Sequence, residues 1–133
     1  MINPILIYNN VLANKKEIFK NNKKKQGVYR WVNILNNKIY IGSSENLTQR
    51  FYGYLNKNTL ENWCKKSRSH TISWALLKYG YENFRLEILE YCDASIVLQK
   101  EQYYLDLFKD KQKYNIAKIA GSNKKFKYSK ETI

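Results

Sequence analysis

The chain is short of metal-cage residues and of long apolar runs. Its two cysteines, Cys64 and Cys92, share no CxxC spacing, and His70 is the single histidine. Together they cannot supply the four ligands of a structural zinc site, so both cysteines are expected as free, buried thiols. No stretch approaches the roughly 18 apolar residues of a membrane span. The apolar run near the start, Pro4 to Tyr8, is too short for the core of a signal peptide. The first 29 residues contain no arginine, which speaks against a mitochondrial import presequence. Only one proline occurs in a chain rich in Asn, Lys, Ile and Tyr, a composition that AT-rich codons favour. No internal repeat is visible.

What is abundant is positive charge. Lysine and arginine outnumber the acids 24 to 11, for a net charge of +13. That excess suits a polyanion, with nucleic acid ahead of an anionic membrane surface. A hydrophobic content of 44% is enough for one core, and 133 residues fit one domain. Twelve tyrosines carry most of the aromatic content.

Residues 1–26 read as a flexible basic arm, with Lys20 and Lys23 to Lys25 as its charge run. Residues 27–43 read as a β-hairpin turning at Asn36-Asn37. A two-residue loop there sets Tyr40 opposite Asn33 and Tyr29 opposite Ser44. Period-two alternation then puts Tyr29, Trp31, Tyr40, Gly42 and Ser44 on one face and Val28, Val32, Ile39 and Ile41 on the other, the expected core face. Asn46 is positioned to cap a helix from Leu47 to about Leu55, where Arg50 and Tyr54 share one face. Residues 56–70 read as a polar loop. Thr71 to Tyr79 reads as a helix closed by Gly80, Asn83 to Tyr91 as a third strand, and Ser95 as the cap of a last helix to about Lys109. Trp31, Trp63 and Trp74 are expected in the core. The whole reads as an α+β domain, a small three-stranded antiparallel sheet flanked by helices. The basic segment 117–133 forms a separate tail.

With Gly27-Val28-Tyr29, Tyr40-Ile41-Gly42, Arg50, Tyr54, Glu101 and Tyr114-Asn115 in this order, the chain resembles the GIY-YIG endonuclease family. The strings from Ala75 to Phe84, Leu86 to Cys92 and Glu101 to Leu105 are similar to its intron-encoded homing subset of fungal mitochondria. The resemblance spans about residues 20 to 120, with residues 27–116 as the nuclease domain and 117–133 as the start of a DNA-binding repeat. It implies catalytic roles for Tyr29, Tyr40, Arg50, Tyr54, Glu101 and Asn115, with Glu101 holding one divalent cation, Mg²⁺ or its substitute Mn²⁺. It implies cleavage of double-stranded DNA to 5′-phosphate and 3′-hydroxyl ends, in a mitochondrion whose own genome encodes the chain. No membrane partner or small-molecule cofactor is expected, and the oligomeric state is left open. Ser43 stands where some members carry a lysine after the second motif. His70 lies nearer to Gly80 than the loop histidine of other members. The competing readings are a decayed, maturase-like nucleic-acid binder and a partner-dependent repair-type nicking domain.

Residue chemistry agrees with hydrolysis of a phosphodiester. Arg50 offers a planar guanidinium that keeps its charge beside a crowded phosphate. One carboxylate suffices for a cation that retains several waters. A tyrosine, with an ordinary pKa of roughly 10, needs nearby positive charge to take a proton from water. The expectation is that Arg50 and a cation lower Tyr40 or Tyr29, with Tyr40 as the base and Tyr29 supporting it, or the reverse.

Overall fold

The computed structural model describes residues 2–66 and 71–115; His70 and the tail 117–133 fall outside them. Four antiparallel strands form one sheet: β1 (Leu6–Tyr8), β2 (Gly27–Asn33), β3 (Ile39–Ser44) and β4 (Phe84–Tyr91), in the order β1-β4-β2-β3. Five helices pack around it: α1 (Lys15–Asn21), α2 (Leu47–Tyr54), α3 (Lys57–Lys66), α4 (Thr71–Tyr79) and α5 (Val97–Leu105). The α+β class and the hairpin agree with the sequence reading.

The supposed arm supplies the fourth strand and α1. Leu6 pairs with Ile88 and Tyr8 with Leu86, while Tyr8, Val11 and Ile18 are buried. Lysines dominate the composition there, but three apolar residues spaced along it are enough to dock the segment.

The hairpin register differs from the simple two-residue turn by two positions. Trp31 faces Tyr40, and Tyr29 faces Gly42. The loop is wider because asparagine side chains turn the backbone. The Leu35 amide donates to Asn33 Oδ1 and the Lys38 amide to Asn36 Oδ1, both at 2.9 Å. Asn37 takes the left-handed conformation at φ 62°. Because the shift is even, the expected face assignments survive.

Both faces of the sheet are buried, which corrects the expectation of a single core face. Tyr29, Trp31, Phe84, Leu86 and Ile88 pack with α2, α3 and α4 in the larger cluster. Val28, Val32, Ile39, Ile41 and Leu89 pack with Leu105 of α5 in a smaller one. β4 serves both clusters by alternation, Phe84, Leu86 and Ile88 on one face and Leu89 on the other, and a bulge interrupts the β2–β4 ladder between Val28 and Tyr29.

Residues 57–66, read as loop, are helical. Asn56 Oδ1 accepts the Thr59 amide at 3.1 Å, and Leu60 and Cys64 bury one turn apart. Its apolar stripe is narrow, so the surrounding polar residues masked it. The last helix starts at Val97 after a single 3-10 turn, without a side-chain cap from Ser95. Of the tryptophans, Trp31 is fully buried and Trp63 packs against the larger cluster, whereas Trp74 is 53% exposed. Cys64 is buried and Cys92 half-buried, and both are free thiols.

Candidate active site

Strand β3 is an edge strand, and its two faces present different chemistry. Tyr40 points to the larger core with Tyr29 and Trp31, and Ser43, three residues on, to the opposite face. There Ser43 Oγ donates a short hydrogen bond to Glu101 Oε1 of α5.

Helix α2 approaches from the other side. Asn46 caps it by accepting the Gln49 amide at 3.1 Å, as the sequence anticipated. Leu47 and Phe51 bury, which turns Arg50 and Tyr54 toward the tyrosine pair. The Tyr29 and Tyr54 hydroxyls lie 2.8 Å apart in a buried hydrogen bond. Edge-on contacts tie Tyr29 to Phe51 and to Tyr54, at centroid distances of 5.2 and 5.8 Å. The Arg50 guanidinium lies over the Trp63 ring, 5.8 Å from its centroid.

Close approach of backbone explains two glycines. At Gly42 a Cβ would lie 2.4 Å from Tyr29 Cζ and its hydroxyl oxygen, so glycine makes the space that the Tyr29 ring fills. At Gly53 a Cβ would lie 2.5 Å from Trp63 Cη2, so α2 and α3 meet closely and Trp63 is held beneath Arg50. Tyr81 donates to the Tyr54 carbonyl at the end of α2. Asn115 clasps the edge strand: its Oδ1 accepts the Ile41 amide at 2.9 Å and its Nδ2 donates to the Ile41 carbonyl at 2.8 Å.

The electrostatics join these groups and revise one expectation. Burial pushes the Tyr29 phenol up to about 12, although Arg50 and the Tyr54 hydrogen bond pull it down. Tyr40 is pushed up further, first by burial and then by Tyr29 and Glu101, with Arg50 opposing. Tyr54 is also raised well above the ordinary range, by burial first. Arg50 therefore acts in the anticipated direction, but desolvation outweighs it. The phenols are protonated donors at neutral pH. Arg50 is raised above its ordinary value, chiefly by Tyr29, and stays charged.

Tyr29, Tyr40, Arg50, Tyr54 and Glu101 thus converge on one electrostatically coupled group at the edge of the sheet, with Asn115 bracing the strand that carries Tyr40. Ser43, Trp63 and Tyr81 were not singled out as site residues. Ser43 was visible only as the residue after the second motif, and Trp63 fits against α2 because Gly53, in the last turn of that helix, leaves room for its ring.

Among the described residues no cluster of three or more His, Cys, Asp or Glu could form a closed metal cage. The Glu101 carboxylate, oriented by a serine and coupled to the phenols, offers oxygen ligands. It fits a hard cation that keeps most of its water.

Residues 25–115 match the GIY-YIG catalytic domain. The chain is 33% identical to probable intron-encoded endonuclease 1 of Neurospora crassa, over 96% of this chain and 42% of that protein. It is 29% identical to probable intron-encoded endonuclease bI1 of the same organism, over 96% of this chain and 29% of that protein. It therefore spans less than half the length of these relatives. Two solved structures of the catalytic domain of the homing endonuclease I-TevI superimpose with TM-scores of 0.57 and 0.56. They share 28% and 27% identity, covering 71% and 70% of this chain and 95% and 99% of theirs. The chain belongs to the GIY-YIG family and carries the family's catalytic domain in residues 25–115.

Proposed function

We propose that the protein is a divalent-cation-dependent DNA endonuclease that hydrolyses phosphodiester bonds of double-stranded DNA, leaving 5′-phosphate and 3′-hydroxyl ends. The observation that carries the reading is that one carboxylate held by Ser43, one arginine and three phenols meet at a single sheet edge. The fungal intron-encoded relatives support an organelle-encoded, mitochondrial homing role.

Glu101, oriented by Ser43, would hold Mg²⁺, with Mn²⁺ as a substitute. When bound, such a cation supplies neutralising charge at the phosphate and acidifies coordinated water. Arg50 faces the scissile phosphate, where its charge counts most as negative charge builds in the transition state. Its stack on Trp63 limits how far the guanidinium can swing. Tyr54, one helical turn on, adds a protonated hydroxyl for a phosphate oxygen or for water. Tyr40 is only partly buried, so its phenol can meet water, and we assign it to orient the attacking water through hydrogen bonding. Tyr29, 2% exposed, is hydrogen-bonded to Tyr54 and coupled to Arg50, and it supports that placement. Asn115 keeps β3, and hence Tyr40, in position.

A nicking assay on supercoiled plasmid tests the reading, with Mg²⁺ or Mn²⁺ present and EDTA as control. Wild type should relax the plasmid. Glu101→Ala and Arg50→Ala, folded by circular dichroism, should lose at least about a hundredfold in rate, the scale for removing one transition-state contact. DNA binding by all three without any cleavage would instead assign the chain to the decayed-binder reading.

A further inference from the structure

The segment ahead of β2 is folded, yet residues 2–24 lie outside the part of the chain that matches the catalytic domain. Over residues 15–25 it carries six lysines and one acid, Glu17, a local charge of +5 by counting. Lys15, Lys16, Lys20, Lys23, Lys24 and Lys25 are all exposed, while Ile18 between them is fully buried. The charge is therefore sorted to the outside of an anchored element.

The anchoring is tight. Asn22 is completely buried. Its Nδ2 donates to the Ile18 carbonyl at 2.7 Å and toward the Tyr8 hydroxyl, and its Oδ1 accepts the Tyr91 hydroxyl at 2.8 Å. Past it the backbone turns through Lys24 at φ 59°, a left-handed conformation that a lysine adopts only when its surroundings impose it. The Leu47 amide donates to the Lys25 carbonyl and the Cys92 amide to the Gln26 carbonyl, fixing the turn against α2 and the end of β4. Phe19 of α1 stacks on Tyr52 of α2, with centroids 3.9 Å apart. Thr48 Oγ1 of α2 donates to the Phe19 carbonyl at 3.0 Å. α1 and the lysine turn are thus joined to the helix that carries Arg50. Like charges held this closely on a folded surface repel one another, and a polyanion relieves that cost.

We propose that these six lysines form a platform for the phosphate backbone of duplex DNA, fixed relative to Arg50 through α2. The proposal rests on the nuclease reading for its partner. It predicts sequence-independent contacts made by the platform and not by the active site.

The test is fluorescence-anisotropy binding of a duplex, in EDTA to prevent cleavage, between about 50 and 200 mM salt. Each lysine that neutralises a phosphate contributes about 0.9 to the slope of log affinity against log salt. The triple variants K15Q/K16Q/K20Q and K23Q/K24Q/K25Q should each lower the slope by about 2 to 3. The corresponding Lys→Arg triples should keep it. Plasmid nicking at saturating DNA should be unchanged in all four. A wild-type slope in either glutamine variant overturns the platform, and so does an equal loss in the arginine variants, since charge would then not be the cause. Nicking by wild type together with unchanged slopes sinks the platform alone. Platform-dependent slopes without nicking sink the nuclease reading alone.

Discussion

Replacing Gly42 with alanine tests the geometry of the site at one atom. The added methyl would sit 2.4 Å from Tyr29 Cζ and its hydroxyl oxygen and 2.8 Å from Cε1. Ordinary carbon contacts lie near 3.5–4.0 Å, so the ring or the strand must yield by about 1 Å. The ring cannot swing freely, since Phe51 and Tyr54 meet it edge-on and the Tyr54 hydroxyl holds its tip at 2.8 Å. Overpacking of a tight core costs about 1–3 kcal/mol, and losing the buried hydroxyl pair adds about 1 kcal/mol. The expected destabilisation is about 2–4 kcal/mol, a fall of about 1–2 M in the urea midpoint. Activity should fall by about a hundredfold, the scale for a misplacement of this size. Tyr29→Leu removes the clashing atoms, so in that background Gly42→Ala should cost less than about 1 kcal/mol, a coupling typical of residues in contact. A Gly42→Ala cost within about 0.5 kcal/mol of zero, or the same cost in both backgrounds, would refute the argument.

Two further perturbations follow from the same contacts. The Tyr29 phenol is pushed up to about 12 in the folded protein, against roughly 10 when unfolded. Its contribution is fully present below pH 10 and is lost as pH rises through about 12, because the unfolded chain ionises first. The two-unit gap corresponds to about 2.7 kcal/mol, so urea midpoints should fall steeply over that window and fall less in Tyr29→Phe. Asn115→Ala strips both hydrogen bonds from the Ile41 backbone of the edge strand and should cost about 1–3 kcal/mol. Hydrogen exchange should speed at the Ile41 amide, while an unchanged rate would mean that the clasp does not hold β3.

The legible part of this protein was its local chemistry. Asn46 before Leu47, Gly80 after Tyr79 and the alternation around Tyr29 and Tyr40 report caps and strands through neighbours a few residues away. These readings held because each depends on hydrogen bonds that close within one turn or one hairpin. The ordered motif residues likewise pointed to the family without any knowledge of distance.

What stayed hidden depended on partners far along the chain. β1 exists because β4, about eighty residues later, offers it an edge, and α3 because Leu60 and Cys64 meet a core that other elements build. The hairpin register was settled by asparagine side chains folding back on the backbone, and by the Ile34 amide reaching the Asn83 carbonyl. The partnership of Ser43 with Glu101 joins opposite ends of the domain. The protonation of the tyrosines was beyond reach for the same reason. Arg50 sets the sign of one influence, but burial sets the net result, and burial belongs to the assembled fold. The sequence alone determined which groups this protein has to work with. Tertiary structure decided which of them meet and how dry the meeting place is, because desolvation and long-range contact have no local signature.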